Sequence, residues 1–250
     1  MTNTPPLSRR LFAEFLGSAF LAAIVIGSGI AAQQLSPHDV GLQLAEDAGA
    51  TGTGLYVLIL MLGPVSGAHF NPVVSAVAAS LRGMRWRDVL AYLPAQLAGC
   101  VCGAVAANAM FAKAAVSISV HHRASPQHLL AEVIATAGLV LVIFALIQTR
   151  RAASAPAAVG AYIGAAYFFT SSTSFANPAI TVGRMFSNTF AGIAPASAPA
   201  FVAVQLIGAA FGLAAVRLLY PPSSEASPDE HSPLRLPAER GSLADQPSAV

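Results

Sequence analysis

Apolar residues run through this chain in long stretches, separated by short polar segments. A helix needs about 20 residues to cross the hydrocarbon of a bilayer. Six stretches meet or approach that length, at about 10–32, 47–65, 88–111, 129–149, 155–171 and 199–220. The second and fifth are the short ones, and each is followed by a loop of small and polar residues. Two further apolar stretches, about 71–81 and 177–188, are too brief to cross. They fit re-entrant half-helices, which lipid tolerates only where they are buried in protein or line a water-filled cavity.

Each brief stretch opens on Asn-Pro: Asn71-Pro72-Val73 in the first half and Asn177-Pro178-Ala179 in the second. Asn is a preferred N-cap, because its side-chain oxygen accepts a first-turn N–H. Pro suits the next position, where its missing N–H leaves nothing unpaired. Each motif therefore predicts a helix start. The side-chain NH₂ is left to donate into a lumen. A half-helix also brings about half a positive charge to its N-terminus. Two such ends meeting at one point repel cations and admit neutral molecules that accept hydrogen bonds.

The two halves repeat one another. Ala13-Glu14-Phe15-Leu16-Gly17 is matched by Ala131-Glu132-Val133-Ile134-Ala135, and Asn71-Pro72 by Asn177-Pro178. Gln96-Leu97-Ala98-Gly99 with Gly103 is matched by Gln205-Leu206-Ile207-Gly208 with Gly212, in the same order. Each half holds three spans, and an odd number makes the second half enter from the opposite side. The repeat is inverted about an axis in the membrane plane. The two half-helices then enter from opposite faces, and their N-termini meet near the midplane. The paired glycines are small-xxx-small motifs that bring helix backbones together. Gly52 and Gly54 are either a further example or ordinary membrane-helix glycines.

Composition agrees with a membrane protein. Of 250 residues 55% are hydrophobic and 10% charged, against about a quarter charged in soluble domains. The net charge of +2 gives no reason to expect a nucleic-acid partner. Basic residues orient the bundle. With the N-terminus inside, Arg9, Arg10, Arg82, Arg85, Arg87, Arg150, Arg151, Arg217, Arg235 and Arg240 fall on the inner side, and only Lys113, Arg123 and Arg184 on the outer. That predicts a multi-pass protein of the cell (inner) membrane with both termini cytoplasmic. The loop at 34–50, with Asp39, Glu46 and Asp47, suits the outer side. No cleavable signal peptide is evident. The expected organisation is a cytoplasmic N-terminus at 1–8 and a channel domain at 9–220, made of repeats at about 9–111 and 128–220. A disordered cytoplasmic tail at 221–250, rich in Pro, Ser and charge, follows. Cys100 and Cys102 read as small core residues rather than a disulfide or redox pair.

Glu14 and Glu132 are the acids that fall well inside the spans, where a charge must face the interior and find partners. Either they couple transport to protons or cations, or they accept backbone N–H groups of the re-entrant loops; their equivalent places in the repeat favour the second. His69, just before the first Asn-Pro, either gates the inner mouth with pH or ties its loop by hydrogen bonds, and the tie is favoured. His121, His122 and His128 show no metal-ligand spacing, and Trp86 between Arg85 and Arg87 reads as an interfacial anchor. No metal or cofactor is expected. No nucleophile–base pair or phosphate-binding glycine loop points to an enzyme.

On Ala13-Glu14-Phe15-Leu16-Gly17, Ser66-Gly67-Ala68-His69-Phe70-Asn71-Pro72-Val73 and Phe175-Ala176-Asn177-Pro178-Ala179, the chain resembles the aquaporin/glycerol-facilitator (major intrinsic protein) family over about residues 8–220. The resemblance implies an all-α membrane protein, a bundle of six tilted helices plus two half-helices, with one pore per subunit in a homotetramer. It implies a passive channel for small uncharged solutes: water, glycerol, urea or neutral metalloid hydroxides such as arsenite. Two departures stand out. Val73 replaces the usual Ala, a change of size only. Ile180 stands where the family usually has the filter Arg, which predicts a wider and more apolar constriction. Counting from the motifs places the other filter positions at Thr51, Ala165 and Ser174. Arg184, one helical turn beyond Ile180, is a candidate for the pore mouth or for a brace of the outer loop. The alternative function is an inverted-repeat secondary transporter coupled through Glu14 and Glu132.

Overall fold

The computed structural model describes residues 5–221. Eight α-helices occur among them: α1 Leu7–Leu35, α2 Val40–Ser66, α3 Pro72–Ser80, α4 Trp86–Met110, α5 Pro126–Gln148, α6 Ala155–Phe169, α7 Pro178–Arg184 and α8 Ala198–Leu219. A 3₁₀ turn, Ala152–Ser154, leads into α6. Six are long and apolar enough to cross a membrane, α6 together with its leading turn. The half-helices α3 and α7 are the two short ones. Apart from Pro221, the tail expected at 221–250 lies outside the described residues.

Close backbone contact builds each half. Gly99 and Gly103 on α4 face the carbonyls of Phe15 and Ala19 on α1, with no room for a Cβ. Gly208 and Gly212 on α8 face those of Val133 and Ala137 on α5, where an added Cβ would lie 2.5 and 2.7 Å from the oxygens. The same seam therefore recurs in both repeats. Gly52 on α2 belongs to another, since its Cβ would meet the Gly160 carbonyl of α6 at 2.8 Å. Without a hydrophobic drive between helices in lipid, such approach supplies the packing energy. Arg10 pairs with Asp88 at 3.0 Å, and Arg217 donates to the Ser80 carbonyl at 3.1 Å. These bonds gather the start of α1, the end of α8 and the α3–α4 turn at one face.

Two expected boundaries move. α2 begins at Val40, so Glu46 and Asp47 are helical rather than part of a loop. Asp39 caps the helix, accepting the Leu42 N–H at 2.9 Å. The two acids that suggested a loop are held within it: Glu46 Oε1 lies 2.8 Å from Ser36 Oγ and Asp47 Oδ1 2.6 Å from Ser28 Oγ. Asp47 is thus a further buried acid within the spans, beside Glu14 and Glu132. The second half-helix is shorter than the apolar stretch, ending at Arg184, where the chain turns into the segment leading to α8.

Candidate functional site

The half-helices α3 and α7 start where their residues require. Asn71 Oδ1 accepts the Val73 N–H at 3.0 Å. Asn177 Oδ1 accepts those of Ala179 at 2.9 Å and Ile180 at 3.3 Å. Each side-chain amide also reaches across the repeat. Asn71 Nδ2 donates to the Ala176 carbonyl and Asn177 Nδ2 to that of Phe70, both at 2.8 Å. One of each pair of amide hydrogens is therefore spent on the fold, and one remains for the lumen.

The loops before the two motifs are bent in the same way. Ala68 and Phe70 in the first, and Ser174 and Ala176 in the second, have φ between 47 and 50°. Non-glycine residues reach this left-handed region at a cost of about 1–2 kcal/mol each. Glu14 and Glu132 offset that strain. Glu14 Oε1 accepts from Ser66 Oγ at 2.6 Å and the His69 N–H at 3.0 Å. Its Oε2 accepts from the Phe70 N–H at 2.7 Å and Gln96 Nε2 at 2.8 Å. Glu132 accepts the N–H groups of Phe175 and Ala176, both at 2.8 Å, and Gln205 Nε2 at 2.7 Å. Both carboxylates are fully buried. Gln96 and Gln205 also contact Ser75 Oγ at 3.2 Å and Thr181 Oγ1 at 3.0 Å, on the two half-helices. The repeat shows Gln96 and Gln205, but their role as second supports of the loops emerges only in three dimensions.

Between the repeats lies a narrow cavity of about 70 Å³. Asn71 and Asn177 both border it, and Val74 and Ile180 occupy equivalent places on α3 and α7. Its other wall is aliphatic, with Leu21, Val25, Leu55, Leu139, Ile143, Val159 and Ile163. At one end it reaches Thr51, Ser174, Ile180 and Arg184. Ala165 is not among the lining residues and is exposed on the far side of α6. Ile163 and Tyr167 face the cavity instead. A helix turns about 100° per residue, so a two-residue error in counting back from Asn177 selects the opposite face. The Tyr167 hydroxyl donates to Thr51 Oγ1 at 3.2 Å, so an aromatic ring stands where a methyl group was expected.

Arg184 is almost fully buried. Its Cζ lies 3.4 Å from the centre of the Phe175 ring, and its Nε donates to the Ala191 carbonyl. Phe175 is packed edge-on against Phe201, with centroids 5.2 Å apart. Arg123 approaches the same ring to 5.5 Å. Burial, and then the charge of Arg184, push the Arg123 guanidinium down to about 10, which leaves it charged at neutral pH.

His69 stands at the other end. Its Nδ1 lies 3.0 Å from Ser75 Oγ, and its ring meets Tyr92 edge-on at 5.8 Å. It borders the central cavity, an apolar vestibule of about 720 Å³ and a polar cleft of about 520 Å³ lined by Arg10, Arg85, Asp88 and Tyr92.

Comparison with known proteins agrees with this architecture. The family model "Major intrinsic protein" matches residues 1–175. The chain is 47% identical over 217 residues to aquaglyceroporin AqpS of Rhizobium meliloti (strain 1021), covering 87% of this chain and 92% of that one. It is 30% identical over 154 residues to the glycerol uptake facilitator protein of Streptococcus pneumoniae, covering 56% and 65%. The X-ray structure of the aquaglyceroporin from Plasmodium falciparum shares the fold, with a TM-score of 0.67 at 21% identity over 86% of this chain and 96% of that one. With two Asn-Pro half-helices meeting between inverted repeats, the chain belongs to the major intrinsic protein family, and it is a multi-pass membrane channel, not an enzyme.

Proposed function

We propose that this channel passes small uncharged solutes up to the size of glycerol and urea, and neutral metalloid hydroxides such as arsenite, by diffusion down their gradients. The observation that carries the reading is the pairing of Asn71 and Asn177 beside one cavity, each with an amide hydrogen to spare. Facing them is the aliphatic wall. A polyol or hydroxide can place its oxygens on the asparagines and its apolar side on that wall. AqpS and the Streptococcus protein are named as an aquaglyceroporin and a glycerol facilitator, which supports the same solute class.

The filter in this reading is Thr51, Tyr167, Ser174 and Ile180, with Arg184 one turn beyond. Ile180 presents an aliphatic side chain where the first turn of α7 meets the lumen, and this favours solutes larger than water. Arg184 supplies the fixed charge and donors of the mouth. Orientation with both termini cytoplasmic in an inner membrane, and assembly as a homotetramer with one pore per subunit, complete the proposal. The basic residues gathered on one face support the orientation.

A coupled transporter would need Glu14 or Glu132 to bind and release a cation. Their four and three hydrogen bonds to loops and glutamines speak for a structural role. Stopped-flow light scattering on proteoliposomes, with water, glycerol, urea and arsenite in turn, tests the reading. Fast equilibration without accumulation is expected for each. Accumulation driven by a proton gradient would overturn it.

A further inference from the structure

The Arg184 side chain lines the pore wall, where its Nε donates to the Ala191 carbonyl. Ala191 lies in the irregular segment between α7 and α8, where the Gly192 N–H reaches the Thr189 carbonyl at 2.8 Å, the Ile193 N–H that of Arg184 at 3.3 Å and the Ala194 N–H that of His121 at 2.8 Å, and the Phe190 N–H reaches Gln33 Oε1 at 3.2 Å. Arg123, from the connection between α4 and α5, grips this segment on both sides of Ala191. Its Nε donates to the Gly192 carbonyl and its Nη2 to that of Phe190, each at 2.8 Å. The Arg123 N–H is itself anchored on Ser197 Oγ at 3.0 Å. Ala191, between the two gripped carbonyls, is fully buried.

We infer that Arg123 is a positioning residue of the pore: by holding the carbonyls of Phe190 and Gly192 it fixes the oxygen of Ala191, and through it the guanidinium of Arg184 in the lumen wall. The inference rests on the reading of Arg184 as part of the filter. Two features set Arg123 apart from an ordinary loop brace. It places a second cation near Arg184, where like charges repel, so a neutral donor would serve bracing better. It also shares the Phe175 ring with Arg184, at 5.5 and 3.4 Å, so both guanidinia bear on one aromatic plate at the end of the cavity. A planar fork with fixed donor directions can hold two carbonyls at once, which a Lys ammonium on a flexible stem cannot.

The test is a double-mutant cycle in proteoliposomes, reading the glycerol-to-water permeability ratio and the proton leak for wild type, R123K, R184A and R123K/R184A. R123K keeps the charge and removes the fork. The expected result is a ratio changed by about threefold or more in R123K, in the same direction as in R184A, with no further change in the double variant. Melting of each purified variant in detergent, with R123Q as a second substitution, confirms that folded protein is compared. If R123K changes all fluxes in proportion to folded protein, or shifts the ratio equally when Arg184 is already gone, the positioning role is overturned. If R184A alone leaves the ratio and the leak untouched, it is the filter reading of Arg184 that fails, and the inference with it.

Discussion

Asn71 and Ala176 lie 105 positions apart and are joined by one 2.8 Å hydrogen bond from side-chain amide to carbonyl. Asn177 returns the bond to Phe70. A reciprocal lock thus joins the repeats, and each asparagine caps its own helix, locks the other loop and borders the central cavity.

Replacing Asn177 by Asp tests this triple duty. The carboxylate still caps α7 but donates nothing, and it sets an oxygen against the Phe70 carbonyl. We expect a loss of about 1–3 kcal/mol, the penalty of a buried group left unpaired, and solute flux reduced more than folded protein. Thermal melting and stopped-flow flux on the same preparation measure the two effects.

Glu132→Gln removes the charge that holds Phe175 and Ala176. Hydrogen bonds to charged groups contribute about 1.5–3 kcal/mol each, so a destabilisation of about 3 kcal/mol is expected in detergent melts. Flux per folded channel stays independent of a proton gradient. Gradient-driven uptake in the wild type that vanishes in this variant would restore the transporter reading.

Ile180→Arg puts a long cation into the lumen one turn from Arg184. Permeation of glycerol, urea and arsenite is expected to fall by about tenfold, a change of about 1.4 kcal/mol in barrier, while water falls less. An equal fall for large and small solutes would remove Ile180 from the filter.

Arg184→Ala takes away the buried charge over Phe175. The expected outcome is a rise in proton or cation leak with water flux retained, read by a pH-sensitive dye trapped in the vesicles. Unchanged permeability to every solute would leave Arg184 only the bracing of its loop.

Much of this arrangement is legible in the chain. The Asn-Pro pairs mark two helix starts because capping is local, and the structure has α3 and α7 beginning at Pro72 and Pro178. Glu14 and Glu132 stand out because a charge within an apolar run must find a partner. The small-xxx-small glycines name their seams for the same kind of reason. What local pattern does not carry is reach. Counting back from Asn177 cannot tell Ala165 from Tyr167, since the loop between them sets which face of α6 turns inward. Asp47 reads as a loop acid until Ser28 of α1 is beside it. Arg123 reads as a charge in an outer connection, and only the folded path of residues 190–192 gives it two carbonyls to hold.

The reciprocal lock has a consequence for biosynthesis. At roughly 5–20 residues per second, Ala176 leaves the ribosome about 5–20 s after Asn71. Through that interval the first half-helix has no partner across the midplane. Glu14, Gln96 and Ser66 come from the same three-helix unit, and they are what the nascent chain has to keep Phe70 and Asn71 in shape until the second half arrives.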